Sequence, residues 1–479
     1  MFRQQFLLTK DKNFELRWNK YTVGNYYLHI HPDLEHTYAK KNQIEIHLLG
    51  SLYDSANPEL LNRDIIENLV FSEAAEKLFT DISKYSGEFI LIYKRNEEIL
   101  IFNDACALSE IYYDDSYSCF GTQPKLLTKI IKTIPHDDPD AIDFYTSDIF
   151  KKKCLFVGES THVKNIRHLL PNHYINLNKK ETSRFYPIKA ISELPLDEVA
   201  RRASSMIKGY IKAMSLRHNT AIAVTGGYDS RVLFLASLET KSKYYVTKHP
   251  NMTDSHYDIS IPRLLTSLYN KDFHVVPENL NTNNDLNKEY CNSIDFPRYL
   301  NLADKILEDH AIINGNISEV ARNYYGYYDH VSSEDLAFLI GYSDYKFPSK
   351  QYDIYLKKNN TLFERTGYHL LDMFYWEEKM GNWAAKAKTE SSALGDTVVS
   401  PFNSRDLLTI LLSVKRKYRD AHFNRLYDRI IFHLSSGNKS VLEIPVNPGR
   451  KQRIIRIMKK LGIYNLYRNI GLRTRMLQI

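Results

Sequence analysis

The chain has 479 residues, of which 43% are hydrophobic and 25% charged, a balance that predicts two or three globular domains with ordinary cores. The formal net charge of +7 is unevenly placed: Arg450 to Arg475 holds nine Lys and Arg and no Asp or Glu, so the other 55 of the 64 basic residues face 57 acidic ones. A near-neutral body gives no charge signature of nucleic-acid binding over the whole protein, and none is expected. Four cysteines, Cys106, Cys119, Cys154 and Cys291, form no CxxC pair, which argues against a zinc site or a disulfide framework. The opening MFRQQFLLTKDKNFELRW has no apolar signal-peptide core, and no apolar run has the length of a membrane span. These features together predict a reduced, cytoplasmic setting.

The first part of the chain reads as β-rich. Tyr26–Ile30, Gln43–Leu49, Glu88–Tyr93, Ile99–Asn103 and Tyr174–Leu177 are short aliphatic and aromatic runs, several of them bounded by turn residues. The pairs His29 and His31, with Glu35 and His36, read as a half-exposed strand rather than a metal site. Stacked antiparallel sheet is expected to Pro187. The pattern then changes. Leu196–Ser215 has helical spacing, and strands at Ala221–Val224, Tyr244–Thr247, Phe273–Val276 and Ala311–Asn314 alternate with helices at Asp229–Leu238, Asp258–Leu268 and Tyr299–Glu308. Such alternation predicts a parallel sheet with helices on both faces. Beyond Tyr324 the chain reads mostly as helix, including Asp406–Val414 and Phe423–Leu434.

The stretch AIAVTGGYDSRVLFLAS, Ala221 to Ser237, carries the strongest chemical signal. A buried strand would end in Thr225-Gly226-Gly227, where glycine permits unusual backbone angles and close approach of a ligand. The helix that follows aims unpaired N–H groups at the turn, which favours an anion. Arg231 in the early turns of that helix opposes the dipole and makes sense beside a polyanion. Asp229 is a good first-turn residue and an oxygen ligand for Mg²⁺. Thr225 and Ser230 offer hydroxyls. A tight turn with a capping hydroxyl and no ligand is the plain alternative. The spacing fits neither a Walker A loop nor GxGxxG.

TGGYDS resembles the SGGxDS loop of the asparagine synthetase family, whose synthetase domain is of the ATP pyrophosphatase type. NGNISEV, Asn314–Val320, resembles the second family loop, SGEGSDE. The resemblance implies a 3-2-1-4-5 parallel sheet, with ATP and Mg²⁺ held between strands 1 and 4. It implies that Val224, Thr225, Gly226, Gly227, Ser230, Thr247, Asn314 and Gly315 line the nucleotide, and that Asp229 and Glu319 hold the metal. Asp229, Arg231, Asn316 and Glu319 would carry the chemistry. Asn316 replaces a family glutamate, so acceptor chemistry is expected to differ. The loop Thr247 to Asp254 resembles the family segment near adenine, and Asp258, in a segment resembling the family's aspartate-led start of the next helix, also suits a helix cap. EEKMGNW (Glu377–Trp383) and SPFNSR (Ser400–Arg405) resemble the family's ExRxPFLD stretch, and Lys379, Lys386 and Arg405 are candidates for its pyrophosphate-binding lysine.

The first 187 residues resemble the family's glutamine amidotransferase domain, through Gly87-Glu88-Phe89, Ile101-Phe102-Asn103-Asp104, Ile111-Tyr112-Tyr113 and Leu170-Pro171-Asn172-His173-Tyr174. The family nucleophile, a cysteine directly after the initiator methionine, is replaced by Phe2, so no glutaminase activity is expected. The expected fold class is thus α/β: an Ntn-like β-sandwich front domain (1–187) and a doubly wound parallel-sheet adenylating domain (188–448) with a helical C-terminal part. A basic amphipathic tail (449–479) follows. The expected activity is ATP-dependent formation of an amide from a small-molecule, peptide or glycan carboxylate and an amine or ammonia, releasing AMP and pyrophosphate. Rival readings are an ATP pyrophosphatase activating a different oxygen and a non-catalytic nucleotide-binding scaffold. The tail, with Ile454, Ile457, Met458 and Leu461 among basic residues, would pack on the body, rest on an anionic membrane or bind an acidic partner.

Overall fold

The computed structural model describes residues 2–72, 74–278, 284–297, 309–326, 328, 330–421 and 423–463. Twelve strands build the first part: β1 Phe6–Thr9, β2 Asn19–Val23, β3 Tyr26–Ile30, β4 His36–Lys41, β5 Ile44–Gly50, β6 Phe89–Arg95, β7 Glu98–Asn103, β8 Tyr112–Asp114, β9 Cys119–Gly121, β10 Ile166–His168, β11 His173–Asn176 and β12 Glu181–Arg184. They form two six-stranded sheets, β10-β8-β9-β1-β3-β2 and β12-β11-β7-β6-β5-β4, each antiparallel. Side-chain alternation explains how they stack. Ile90 and Ile92 of β6 and Ile99 and Ile101 of β7 join Phe6, Leu8, Leu28 and Ile30 in a core between the sheets. Phe89, Leu91 and Tyr93, with Leu100 and Phe102, point the other way, onto Ile65, Ile66, Leu78 and Phe79 of helices Asn62–Leu69 and Ala75–Ile82.

Five further strands, β13 Thr220–Ala223, β14 Lys243–Lys248, β15 Phe273–Pro277, β16 Ala311–Ile313 and β17 Val398–Val399, form a parallel sheet ordered β15-β14-β13-β16-β17. Numbered within this sheet, the order is 3-2-1-4-5, the order that the family resemblance implies. β17 falls in the region read as helix; two residues are too few to show a period. Helix Leu196–Arg217 and the C-terminal helices Arg405–Leu412 and Arg425–Leu434 pack together, and Arg425–Leu434 also meets helix Tyr228–Ala236. The predicted helix Tyr299–Glu308 lies outside the described residues. No helix among the described residues is long and apolar enough to cross a membrane. Among the described residues no two cysteines are joined in a disulfide.

A buried polar network joins the two parts. Ser400 N–H donates to Glu88 Oε1 (2.9 Å), Asn403 Nδ2 to the Gly87 carbonyl (2.6 Å) and Trp376 Nε1 to the Ala105 carbonyl (2.7 Å). Gly87 sits at φ +140°, and a Cβ there would lie 2.0 Å from the Ser51 carbonyl oxygen, so glycine is required. Arg405 is buried and donates to Asn172 Oδ1 (3.1 Å) and to the carbonyls of Asn103 (3.2 Å) and Asp104 (3.0 Å). The segments EEKMGNW and SPFNSR therefore serve the junction.

Glu378 adds a pH dependence to this junction. Its Oε2 accepts from the Gly158 N–H (3.2 Å), and burial, with Glu377 as a like-charged neighbour, pushes its pKa up to about 8. A carboxyl kept protonated in the fold binds a proton that the unfolded chain gives up above about pH 4.3. Its contribution to stability is complete below that value and is lost as pH rises towards 8. Glu378→Gln keeps an acceptor and cannot ionise. Its melting temperature is expected to match the wild type at pH 5 and to exceed it at pH 8; an offset of the same size at both pH values would contradict the assignment.

Candidate functional site

The reversal of strand order between β13 and β16 places their carboxyl ends side by side, with a crevice where ligands of such sheets bind. The β13 end is knit by its own hydroxyls. Ser230 Oγ accepts from the Thr225 N–H (3.0 Å) and lies 3.0 Å from Thr225 Oγ1. Val224 is buried, and its N–H donates to the Tyr245 carbonyl of β14 (2.8 Å). Gly227 caps helix Tyr228–Ala236 at φ −83°, and neither Gly226 nor Gly227 is left-handed. The glycines thus provide room rather than unusual angles: a Cβ on Gly226 would come within 2.9 Å of the Tyr257 ring. The Gly226 N–H donates to Asp258 Oδ1 (2.8 Å). Asp258 is not the cap of its helix, since His256 accepts its N–H (3.2 Å) and fills that role. Its carboxylate therefore stands where an anion would be held.

From the β16 end come Asn314, Gly315 and the 3₁₀ turn Asn316–Arg322. Asn314 is tied to the neighbouring strand, its N–H donating to the Val399 carbonyl (3.0 Å). Gly315 lets the two loops meet, because a Cβ on it would lie 2.9 Å from Asp229 Cβ. Asn316 is exposed at the rim. Thr247 lies near the end of β14, paired in register with Val276 of β15.

Asp229 and Glu319 come together, but a guanidinium lies between them. Arg322 Nη1 is 2.7 Å from Asp229 Oδ2 and 3.9 Å from Glu319 Oε1. Ser318 Oγ donates to Asp229 Oδ1 (2.6 Å), and the Tyr375 hydroxyl to Glu319 Oε2 (2.5 Å). Burial, and then Asp229 as a second carboxylate, raises the Glu319 pKa against the pull of Tyr375 and Arg322. The oxygens have the right chemistry for Mg²⁺, yet all four already have a partner, and one partner is a cation. As arranged, the pair does not fit a resident divalent ion. Among the described residues no group of three or more His, Cys, Asp or Glu side chains gathers as metal ligands would.

Arg231 has a different explanation from the expected polyanion. It is buried, and its Nη1 and Nη2 donate to the carbonyls of Ile444 (2.8 Å) and Pro445 (2.9 Å), while burial lowers its pKa to about 10. It fastens the C-terminal strap to the helix. Of the lysine and arginine candidates, Arg405 belongs to the junction, and Lys386 donates to the Asp295 carbonyl and pairs with Glu390 (3.9 Å). Lys379 alone of the three reaches this site. It lies near enough to Glu319 to favour that carboxylate's charged form and rests over the Trp383 ring at 5.1 Å. Ser318, Arg322 and Tyr375 were missed from sequence. Arg322 had a signal, since it follows Glu319 by three residues and so shares its face of a 3₁₀ turn. Tyr375 had none; it arrives on the π-helical stretch Tyr375–Ala384.

In the front part neither Phe2 nor Cys106 is set up as a glutaminase nucleophile. Phe2 is buried, with its N–H donating to Ser293 Oγ (2.9 Å). Cys106 is fully buried, and burial raises its thiol pKa well above the ordinary value, the reverse of an activated nucleophile.

No family model matches the sequence, and no curated protein matches it. Twenty solved chains match in structure. One, described as the allosteric regulatory enzyme of purine biosynthesis, is 9% identical with a TM-score of 0.23; the match covers 53% of this chain and 61% of that one. Another, the B. subtilis glutamine phosphoribosylpyrophosphate amidotransferase complexed with ADP and GMP, is 8% identical with a TM-score of 0.23, covering 67% and 71%. This chain thus spans about three-fifths of the first enzyme's length. At such scores no residue role transfers.

Proposed function

We propose that the crevice between β13 and β16 binds ATP and that the protein uses it to activate a carboxylate as an acyl-adenylate for attack by an amine or ammonia from solution. One observation carries the reading: two loops about ninety residues apart in sequence, each read as half of a nucleotide site, meet through the Ser318–Asp229 hydrogen bond at the strand-order reversal. The Gly226 and Gly227 amides and the helix N-terminus would take the phosphates, with Asp258 giving way. Arg322 is the fixed cation beneath them, and Lys379 stands beside Glu319. Asn316 at the rim would orient the acceptor by hydrogen bonds. Mg²⁺ would enter as part of the nucleotide substrate. The Ntn-like fold proposed for the front part has no hydrolytic role here and covers the synthetase half.

A second reading, a nucleotide-binding protein without turnover, is favoured by the Arg322 clamp on both carboxylates. Both readings require binding. Gly227→Val tests this, because an added Cβ lies no closer than 3.5 Å to any neighbour and the larger side chain fills the mouth of the turn, with an unchanged melting temperature as the check that the fold is kept. ATP is expected to bind the wild type in calorimetry and the valine variant more than about tenfold more weakly, roughly the loss of one charge-assisted contact. Equal binding by both proteins would move the nucleotide elsewhere, and none by the wild type would leave a scaffold.

A further inference from the structure

The helix Arg450–Lys460 sits on the body the wrong way round for a packing helix. Its sequence, RKQRIIRIMKK, is amphipathic, and the ordinary outcome is an apolar stripe against the core with the charges in water. Here Lys459 turns inward to an ion pair with Asp420 at 2.5 Å, both side chains only 17% exposed. Ile454, Ile457, Leu461 and Ile463 are 49%, 52%, 66% and 44% exposed. On a helix, 454, 457 and 461 fall within one narrow arc, and Lys459 lies nearly opposite. The edge of the apolar stripe formed by Ile454, Ile457 and Leu461 therefore faces solvent, while Ile455 and Met458 are half-buried.

The base of this helix is firmly anchored. Arg231 holds the Ile444 and Pro445 carbonyls, the Asn447 N–H donates to the Gly226 carbonyl (2.9 Å), and Gly449 lies against the Tyr257 ring. Exposure of the stripe is thus set by the strap and by Lys459 together. Arg450 to Ile463 contains six Lys and Arg and no acidic residue, on a protein whose body is near neutral.

We infer that the exposed face of Arg450–Ile463 docks on an anionic lipid bilayer. Isoleucine and leucine side chains in a single file enter the acyl boundary, and the flanking cations meet the headgroups. Two features favour a bilayer over an acidic protein: the charge is of one sign throughout, and the apolar stripe is a convex helix surface that a bilayer accepts without a matching groove. The inference stands independently of the nucleotide reading.

The test is flotation of the full chain with phosphatidylcholine vesicles, with and without phosphatidylglycerol. Wild-type protein is expected to float only with the anionic vesicles and to be released by high salt. Ile457→Glu combined with Leu461→Glu should reduce flotation by more than about tenfold, and Lys460→Glu should reduce it as well. All three side chains are exposed, so the variants should retain the wild-type melting temperature. Wild-type protein that stays unbound with both vesicle types overturns the inference, as does flotation of the double variant at wild-type level. Absence of flotation together with a dimer that the double variant breaks would assign the face to a second copy of the chain, and overturns it too.

Discussion

Glu377→Ala is expected to destabilise the protein by about 3–5 kcal/mol, because it strips one buried charge of its partner and leaves the other in place. Glu377 is fully buried and receives four donors: Arg184 Nη1 (2.5 Å) and Nη2 (2.8 Å), Asn172 Nδ2 (3.0 Å) and the Tyr355 hydroxyl (2.8 Å). Burial alone would raise its pKa. Arg184 and the other donors outweigh that and hold it below the ordinary carboxylate value. Arg184 comes from β12 of the front part and Tyr355 from helix Lys346–Thr366, so one carboxylate gathers three elements. Glu377→Gln, which keeps hydrogen bonding and loses only the charge, should cost less than alanine. Urea unfolding measures both. A loss below about 1 kcal/mol for alanine, the range of an exposed pair, would show that the pair does not hold the junction.

Asp229→Asn should lower ATP turnover by about a hundredfold or more, the scale of a misplacement of about 1 Å at a reacting centre. Asp229 is the point at which the two loops are aligned, since it fixes Ser318 on one oxygen and Arg322 on the other. Asparagine retains an acceptor for one of them and loses the charge that holds Arg322. The released guanidinium then pairs with Glu319 alone, 3.9 Å away in the wild type. A positioning role predicts that kcat falls more than ATP affinity, whereas a role in phosphate binding alone would raise KM and leave kcat. Unchanged kcat would remove Asp229 from the site.

The parts of this molecule legible in sequence are those written in short local patterns. The TGGYDS turn and the alternation of strands and helices after Pro187 depend on residues a few positions apart; the approach of Asp229 to Glu319 followed only from the family resemblance, which gave no hint of Arg322 between them. Arg231 shows the limit. Its place in the helix was correctly noticed, yet its partners are main-chain carbonyls more than two hundred residues away, which no spacing records. The same holds for SPFNSR: a motif that resembles the family's ExRxPFLD stretch is buried against Gly87 and Asp104. β17, β10 and β12 were not legible, because two to four residues give no period. For the tail, amphipathicity was legible from sequence. Which face meets solvent is decided by the strap that Arg231 fastens and by the Lys459–Asp420 pair, partners that no local pattern records.

The measurement that tests the central claim most directly is the identity of what ATP becomes. The protein, with Mg·ATP and separated metabolite, peptide and glycan fractions rich in free carboxylates, is expected to release AMP and pyrophosphate only with particular fractions, and Asp229→Asn is expected to suppress that release. Release of ADP and phosphate, or ATP left intact in every fraction despite binding, would contradict acyl-adenylate formation at the β13–β16 crevice.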